Sequence, residues 1–130
     1  MAEQPNQLLV RRGFEAFNTG DIDTLVEIIA DDAVQIMPGD NIVAGEHKGR
    51  DAILTLYARL FEETAGTLKV VLEGTYAAGN SVVAIYRGTA HRNGRSLDQR
   101  NALVFEIEHG QAVRLTDLPA DLAALDLFWS

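Results

Sequence analysis

The fold of this chain is decided by residues 14–53, which read FEAFNTGDIDTLVEIIADDAVQIMPGDNIVAGEHKGRDAI. Apolar residues at helical spacing on both sides of Gly20-Asp21 predict two successive helices, the second capped by Asp21. Asp31-Asp32 is expected to end the second helix, and the apolar run at 33–37 predicts a strand. After a loop that contains glycine, Asp51 is expected to open a third helix.

Downstream of this segment the apolar pattern changes from a helical period to a period of 2. It predicts four antiparallel strands, over residues 68–76, 81–91, 95–107 and 111–118. Three turn-forming dipeptides separate them, Gly79-Asn80, Asn93-Gly94 and His109-Gly110. Gly74 and Gly88 are expected bend points, and Pro119 is expected in the first turn of a short terminal helix.

This order of elements predicts a single α+β domain over residues 1–130. Three N-terminal helices are expected to pack on a strongly curved, mainly antiparallel sheet and to leave an apolar pocket.

Composition argues against several kinds of partner. The net charge of −8 and the scattered arginines disfavour nucleic acid and anionic membrane surfaces. The absence of cysteine excludes disulfides, thiolate nucleophiles and zinc fingers. The N-terminus lacks a basic start followed by a long apolar run, and no stretch reaches membrane-spanning length, so we expect a cytoplasmic protein.

The predicted order of elements resembles the nuclear transport factor 2-like superfamily, and within it the SnoaL-like domains. The segments that carry the resemblance are AFNTGDIDTL (16–25), ADDAV (30–34), GRDAI (49–53), VVAIYRGTAHRNGR (82–95) and LVFEIEHGQAVRLTD (103–117). The resemblance implies a pocketed cone and a homodimer that forms through the sheet face, for which Val83, Ile85 and Val104 are candidates. It does not fix a function, because the superfamily includes isomerases, hydrolases, cyclases, dehydratases and non-enzymatic binders.

The resemblance also implies where catalytic groups would lie. A ketosteroid isomerase would need proton-transferring groups where this chain has Gly13, Met37 and Leu103. A limonene-epoxide hydrolase would need an Arg-x-Asp pair where it has Tyr86 and Gly88. Neither activity is therefore expected.

A third comparison, with SnoaL-type polyketide cyclases, leaves one residue in place. These enzymes carry an acid/base carboxylate seven residues after the glycine of the final hairpin, which corresponds to Asp117. Their histidine two residues earlier is replaced here by Leu115. The resemblance therefore implies a single carboxylate proton shuttle rather than the full cyclase site.

The sequence itself gives Asp117 two readings. It alternates with Val113 and Leu115, so it shares their face of the strand, and desolvation there would raise its pKa. Alternatively, Asp117 caps the terminal helix or accepts a hydrogen bond from a neighbouring strand. Asn101 and Tyr86 are the other candidate catalytic groups, as stabilisers of negative charge on a substrate oxygen, although aromatic residues at such positions are more often core residues with the hydroxyl at the rim.

The predicted function is a cofactor-independent isomerase, cyclase or lyase that acts on a small hydrophobic molecule. The alternatives are a non-catalytic binder of such a ligand and a dimeric interaction module. Candidate substrate-binding residues are Phe14, Phe17, Gln35, Met37, Tyr57, Leu103, Phe105 and Leu115. No metal is expected, because His47, His91 and His109 are far apart in sequence and lack ligand spacing.

Overall fold

The computed structural model describes residues 3–130, which form four helices and six strands. In chain order these are α1 (Pro5–Thr19), α2 (Ile22–Ile28), β1 (Ile29–Met37), β2 (Gly45–Lys48), α3 (Arg50–Glu63), β3 (Lys69–Ala78), β4 (Ser81–Arg92), β5 (Arg95–Glu108), β6 (Gln111–Pro119) and α4 (Leu122–Phe128). The predicted α+β class is confirmed.

All six strands belong to one sheet in the order β2-β1-β6-β5-β4-β3. Every neighbouring pair is antiparallel except β1 and β6, which run parallel. Strands β3 to β6 form the predicted meander, and β1 joins it at β6. Helices α1, α2 and α3 pack against the sheet, as predicted for the N-terminal helices.

The helices cover the inner face of the sheet because each carries one apolar side. Helix α1 buries Val10 and Phe14, and helix α3 buries Ile53 and Leu60. Burial of each such side chain contributes about 1.5–3 kcal/mol relative to exposure, so these contacts fix the helices in place.

Strand register determines which residues face the helices. Three cross-strand rows of β4, β5 and β6 lie on the inner face, Val82–Phe105–Leu115, Ala84–Leu103–Asp117 and Tyr86–Asn101–Pro119. Because side chains alternate along a strand, the residues between these belong to the outer face. Asp117 therefore lies on the same face as Tyr86 and Asn101.

The prediction for Asp31-Asp32 is wrong. Helix α2 ends at Ile28, and both aspartates lie inside β1 with their side chains exposed. Ile29 is already extended and pairs with Ala112 of β6. The β1–β6 register then shifts between Ile29 and Val34, so one irregularity accommodates the two charged residues outside the core.

The prediction of a loop around His47 is also wrong, because the residues on either side of it form strand β2. This short strand pairs antiparallel with β1, and His47 lies opposite Gln35. The His47 ring is half-buried, with Nε2 2.9 Å from the Val43 carbonyl oxygen. Long-range pairing with β1 creates the strand, and a four-residue charged segment gives little local signal of it.

The end of the chain differs from the prediction at Pro119. This proline closes β6 instead of starting the terminal helix, and Asp121 caps α4 by accepting from the Ala124 amide at 3.0 Å. The helix-cap reading of Asp117 is therefore wrong. Of the two expected bend points, Gly74 lies at a register shift between β3 and β4, whereas Gly88 pairs in regular register.

Candidate active site

A cavity lies between the inner face of the sheet and helices α1, α3 and α4. Its volume, measured as the space open to the centre of a water molecule, is about 110 Å³. That is several times the ~10–15 Å³ needed to hold one water molecule. All the residues predicted for the site line it, namely Phe14, Phe17, Gln35, Met37, Tyr57, Tyr86, Asn101, Leu103, Phe105, Leu115 and Asp117.

The sequence analysis missed other parts of the wall. Leu97 lines the cavity from β5, and Leu125 and Trp129 close it from the C-terminal segment. Leu97 has the parity of Asn101 and Leu103 along the strand, so extending the alternation by four residues would have found it. The position of Trp129 depends on how α4 packs, which no local pattern encodes.

A hydrogen-bonded chain of three side chains forms the polar part of the cavity. The Tyr86 hydroxyl donates to Asp117 Oδ1 at 2.7 Å, and Asn101 Nδ2 donates to the Tyr86 oxygen at 3.4 Å. Asn101 Oδ1 in turn accepts from the Ala120 amide at 3.0 Å. The backbone contact fixes the amide of Asn101, so its nitrogen faces Tyr86. The sequence analysis also allowed Asp117 to accept a hydrogen bond from a neighbouring strand, but its donor, Tyr86, lies on β4 and reaches Asp117 across β5.

Asp117 is buried in apolar surroundings and only 4% exposed. Burial raises its pKa to about 6, and the hydrogen bond from Tyr86 opposes this rise. Among the described residues, only Tyr86 donates a side-chain hydrogen bond to this carboxyl group, and it does so to Oδ1. No fully buried side-chain oxygen of the described chain lacks a partner. Oδ2 therefore borders the open space of the cavity.

A second polar pair lies on the wall formed by β1 and α3. The Tyr57 hydroxyl donates to Gln35 Oε1 at 2.5 Å, and both side chains are buried. Burial first, and then the negative charge of Asp117, raise the pKa of Tyr57. Burial and Asp117 likewise raise the pKa of Tyr86 well above its usual value. Both phenols therefore stay protonated at neutral pH.

Aromatic packing holds the two tyrosines. The Phe14 ring lies 5.5 Å from that of Tyr86, and the Phe17 ring meets Tyr57 edge-on at 5.1 Å. Tilted and edge-to-face pairs at such distances are favourable arrangements of aromatic rings. The two phenylalanines of α1 therefore hold both tyrosine rings in place and so fix the positions of their hydroxyl groups.

Residues 10–115 match the sequence model of the SnoaL-like domain. The chain belongs to the SnoaL-like domain family. The resemblance inferred from the sequence is thereby confirmed, together with its place among nuclear transport factor 2-like folds. Asp117 lies just beyond the matched residues.

Relatives of this SnoaL-like protein share its full length. An uncharacterised protein of Mycobacterium tuberculosis is 35% identical over 100% of both chains. The solved structure of Bal32a, from a soil-derived mobile gene cassette, is 40% identical, has a TM-score of 0.95 and covers 97% of each chain. A proposed SnoaL-like polyketide cyclase from Jannaschia shares the fold, with 20% identity, a TM-score of 0.81 and coverage of 100% and 98%.

Within residues 3–130, no group of three or more histidine or acidic side chains lies close enough to hold a metal ion. None of the helices described there has the length and apolar character needed to cross a membrane.

We predict that Asp117 makes folding stability depend on pH. Its folded pKa of about 6 lies above the usual aspartate value, so the folded state holds a proton that the unfolded state releases. This stabilisation is present at low pH and is lost as pH rises through about 6. Urea unfolding should show that the Asp117→Asn variant gains on the order of 2 kcal/mol over wild type between pH 4.5 and 7.5.

The matched control is Asp32→Asn, which removes an exposed carboxylate from β1. This variant should follow the pH profile of wild type. A constant difference in stability between wild type and Asp117→Asn at all pH values would contradict the assignment.

Proposed function

We propose that this protein is a cofactor-independent enzyme that moves a proton on a small hydrophobic molecule, with Asp117 as the acid/base. The observation that carries the proposal is the buried carboxyl group of Asp117, which has one oxygen facing an apolar cavity. Burial there raises its pKa to about 6. General acid/base groups work best when their pKa lies near the operating pH. Perturbed carboxyl groups in clefts are typical of functional sites.

The cavity favours a substrate with an apolar body. Its wall consists mainly of aliphatic and aromatic side chains, and its polar groups come from few residues, chiefly Asp117, Tyr86, Asn101, Gln35 and Tyr57. Such a distribution binds an apolar scaffold and orients one oxygen-bearing region of it. Isomerases, cyclases and lyases of carbonyl compounds share a first step that suits this site, the removal of a proton from carbon beside a carbonyl group.

One observation favours the alternative function, a binder without turnover. Asp117 is the only acidic, basic or histidine side chain among the described residues that line the cavity. A reaction that needs separate acid and base side chains would therefore lack one of them. A binder would hold an apolar ligand in the same cavity and release it unchanged.

Exchange of carbon-bound hydrogen tests the proposal without knowledge of the natural substrate. We expect the protein to accelerate deuterium incorporation beside the carbonyl of 2-tetralone, an apolar bicyclic ketone, in deuterated buffer. The rate, followed by proton NMR above the buffer background, should rise with pH through about 6 as Asp117 ionises. Asp117→Asn should lose at least about 100-fold, since general acid/base groups contribute 10²–10⁴.

The control for this experiment is again Asp32→Asn, which should exchange at the wild-type rate. Binding of 2-tetralone with no exchange above background in wild type would support the binder instead. Full exchange by a folded Asp117→Asn variant would exclude Asp117 as the base.

We also propose that the outer face of the sheet forms a homodimer interface, as the resemblance implies. Two rows of paired residues cross β4, β5 and β6 on this outer face, Val83–Val104–Thr116 and Ile85–Ala102–Leu118. Leu118 is 51% exposed, and the other side chains of these rows are half-buried. Ion pairs border them, Arg87 with Asp98 and Arg114 with Glu106. An apolar centre with a charged border is the usual anatomy of a protein interface.

We expect wild type to sediment as a dimer at micromolar concentration and Ile85→Arg to sediment as a monomer. An arginine in the centre of the rows would bury an unpaired charge on association. Leu127→Arg is the control, because Leu127 is exposed on α4, on the opposite side of the sheet. Analytical ultracentrifugation decides the matter, and a monomeric wild type or a dimeric Ile85→Arg would contradict the interface.

A further inference from the structure

We propose that Gln35 donates a hydrogen bond to the carbonyl oxygen of the substrate while Asp117 removes the neighbouring proton. The inference rests on the function proposed above and deepens it, because it assigns a substrate class. The substrate would be an apolar ketone or related carbonyl compound with a removable proton on the carbon beside the carbonyl.

The amide nitrogen of Gln35 has only a weak acceptor. Gln35 is buried on β1, and its Oε1 accepts the Tyr57 hydroxyl at 2.5 Å. Among the described residues, the recorded acceptor for its Nε2 is Met37 Sδ, at 3.8 Å. A thioether sulfur is a weak acceptor, and a buried amide donor without a good acceptor is costly. A ligand oxygen in the cavity would satisfy this N–H group.

Tyr57 sets the orientation of that donor. Its hydroxyl occupies the oxygen end of the Gln35 amide, so the nitrogen end is left for the cavity. The Tyr57 ring is in turn held edge-on by Phe17. A donor that is oriented before the substrate arrives needs no reorganisation during the reaction.

Strand register brings Gln35 and Asp117 to the same part of the wall. Gln35 pairs with Leu115 on the neighbouring parallel strand, so Asp117 lies two residues farther along the same face. Neighbouring strands lie about 4.8 Å apart and parallel strands rise about 3.3 Å per residue, so the Cα atoms of Gln35 and Asp117 are about 8 Å apart. At that separation on one face, the two side chains can contact the same ligand. The charge of Asp117 also acts on Tyr57, the partner of Gln35.

The Tyr86 hydroxyl and the Asn101 amide, which were expected to stabilise a substrate oxygen, already have partners in the structure. The Tyr86 hydroxyl proton is already donated to Asp117, and the Asn101 amide donates to the Tyr86 oxygen. Both side chains therefore position the carboxylate. The amide nitrogen of Gln35 differs from both, because its recorded acceptor among the described residues is a sulfur, that of Met37.

The proton and electrons balance without any co-reactant. The C–H bond beside the carbonyl breaks, and its proton passes to the Asp117 carboxylate. The electron pair of that bond forms a C=C bond, and the π pair of the carbonyl moves to its oxygen, where the Gln35 N–H group stabilises the negative charge. The proton on Asp117 then exchanges with a deuteron of the solvent, and transfer of that deuteron from Asp117 to carbon completes the exchange.

The test compares 2-tetralone with tetralin, the hydrocarbon that lacks the carbonyl oxygen. Wild type should bind 2-tetralone about 3- to 10-fold more tightly than tetralin, the effect of one hydrogen bond. Gln35→Met should reduce this preference to about 1, because the methionine side chain has no donor. Its exchange rate on bound 2-tetralone should fall by about 100-fold or more, as when an oxyanion donor is removed.

Tyr57→Phe is a second variant, which keeps the Gln35 donor but no longer fixes its orientation. Its preference for 2-tetralone and its exchange rate should both lie between those of Gln35→Met and wild type.

Asp117→Asn separates the two claims, since it should lose exchange and keep the preference for 2-tetralone. If a folded Gln35→Met variant keeps both the preference and the exchange rate, the role of Gln35 is overturned and the proton transfer stands. If the preference depends on Gln35 but wild type shows no exchange, the donor stands and the proposed proton transfer is overturned. Failure of wild type to bind 2-tetralone at millimolar concentration would overturn the substrate class.

Discussion

The site depends on the burial of one carboxyl group, that of Asp117, on the inner face of an otherwise apolar sheet. An ionised carboxylate in such surroundings is expensive, and the fold reduces this cost in two ways. Tyr86 donates a hydrogen bond to one oxygen, and the other oxygen borders a cavity. The remaining cost of ionisation appears as the rise of the Asp117 pKa to about 6.

Most of the surrounding architecture positions this carboxyl group. The register of β4, β5 and β6 puts Tyr86, Asn101 and Asp117 on one face, and α1 packs phenylalanine rings against the tyrosines. Helix α3 brings Tyr57 to Gln35, and the C-terminal segment closes the cavity with Leu125 and Trp129. A cluster of buried polar side chains weakens a core unless each is satisfied, so its presence here is typical of a functional site.

The cavity wall could be predicted from sequence because side chains alternate along a strand. Within β5 and β6, every second residue lies on the same face of the sheet. Assigning that face to the cavity therefore placed Leu103, Phe105, Leu115 and Asp117 in its wall together. The same reasoning failed at β2, whose only signal is its pairing with β1. It also failed at Asp31-Asp32, where pairing with β6 outweighs the local preference of two aspartates for a helix end.

The hydrogen-bond partners in the site could not be predicted from the sequence, because they too depend on contacts between separate elements. The contact from Tyr86 to Asp117 spans an intervening strand, and the contact from Tyr57 to Gln35 joins a helix to a strand. Both depend on rotamers and on the distance between layers, neither of which appears in a residue pattern. The sequence therefore predicts Asn101 and Tyr86 as oxygen stabilisers but not the hydrogen bonds of the structure, in which Asn101 donates to Tyr86 and Tyr86 donates to Asp117.

A carbon NMR titration of the Asp117 carboxyl group, in wild type and in Tyr86→Phe, tests this account most directly. We expect a pKa of about 6 in wild type and a higher value in the variant, because the Tyr86 hydrogen bond favours the ionised form. A wild-type pKa at or below the usual aspartate value of about 3.9 would show a hydrated or paired carboxylate and would contradict the account.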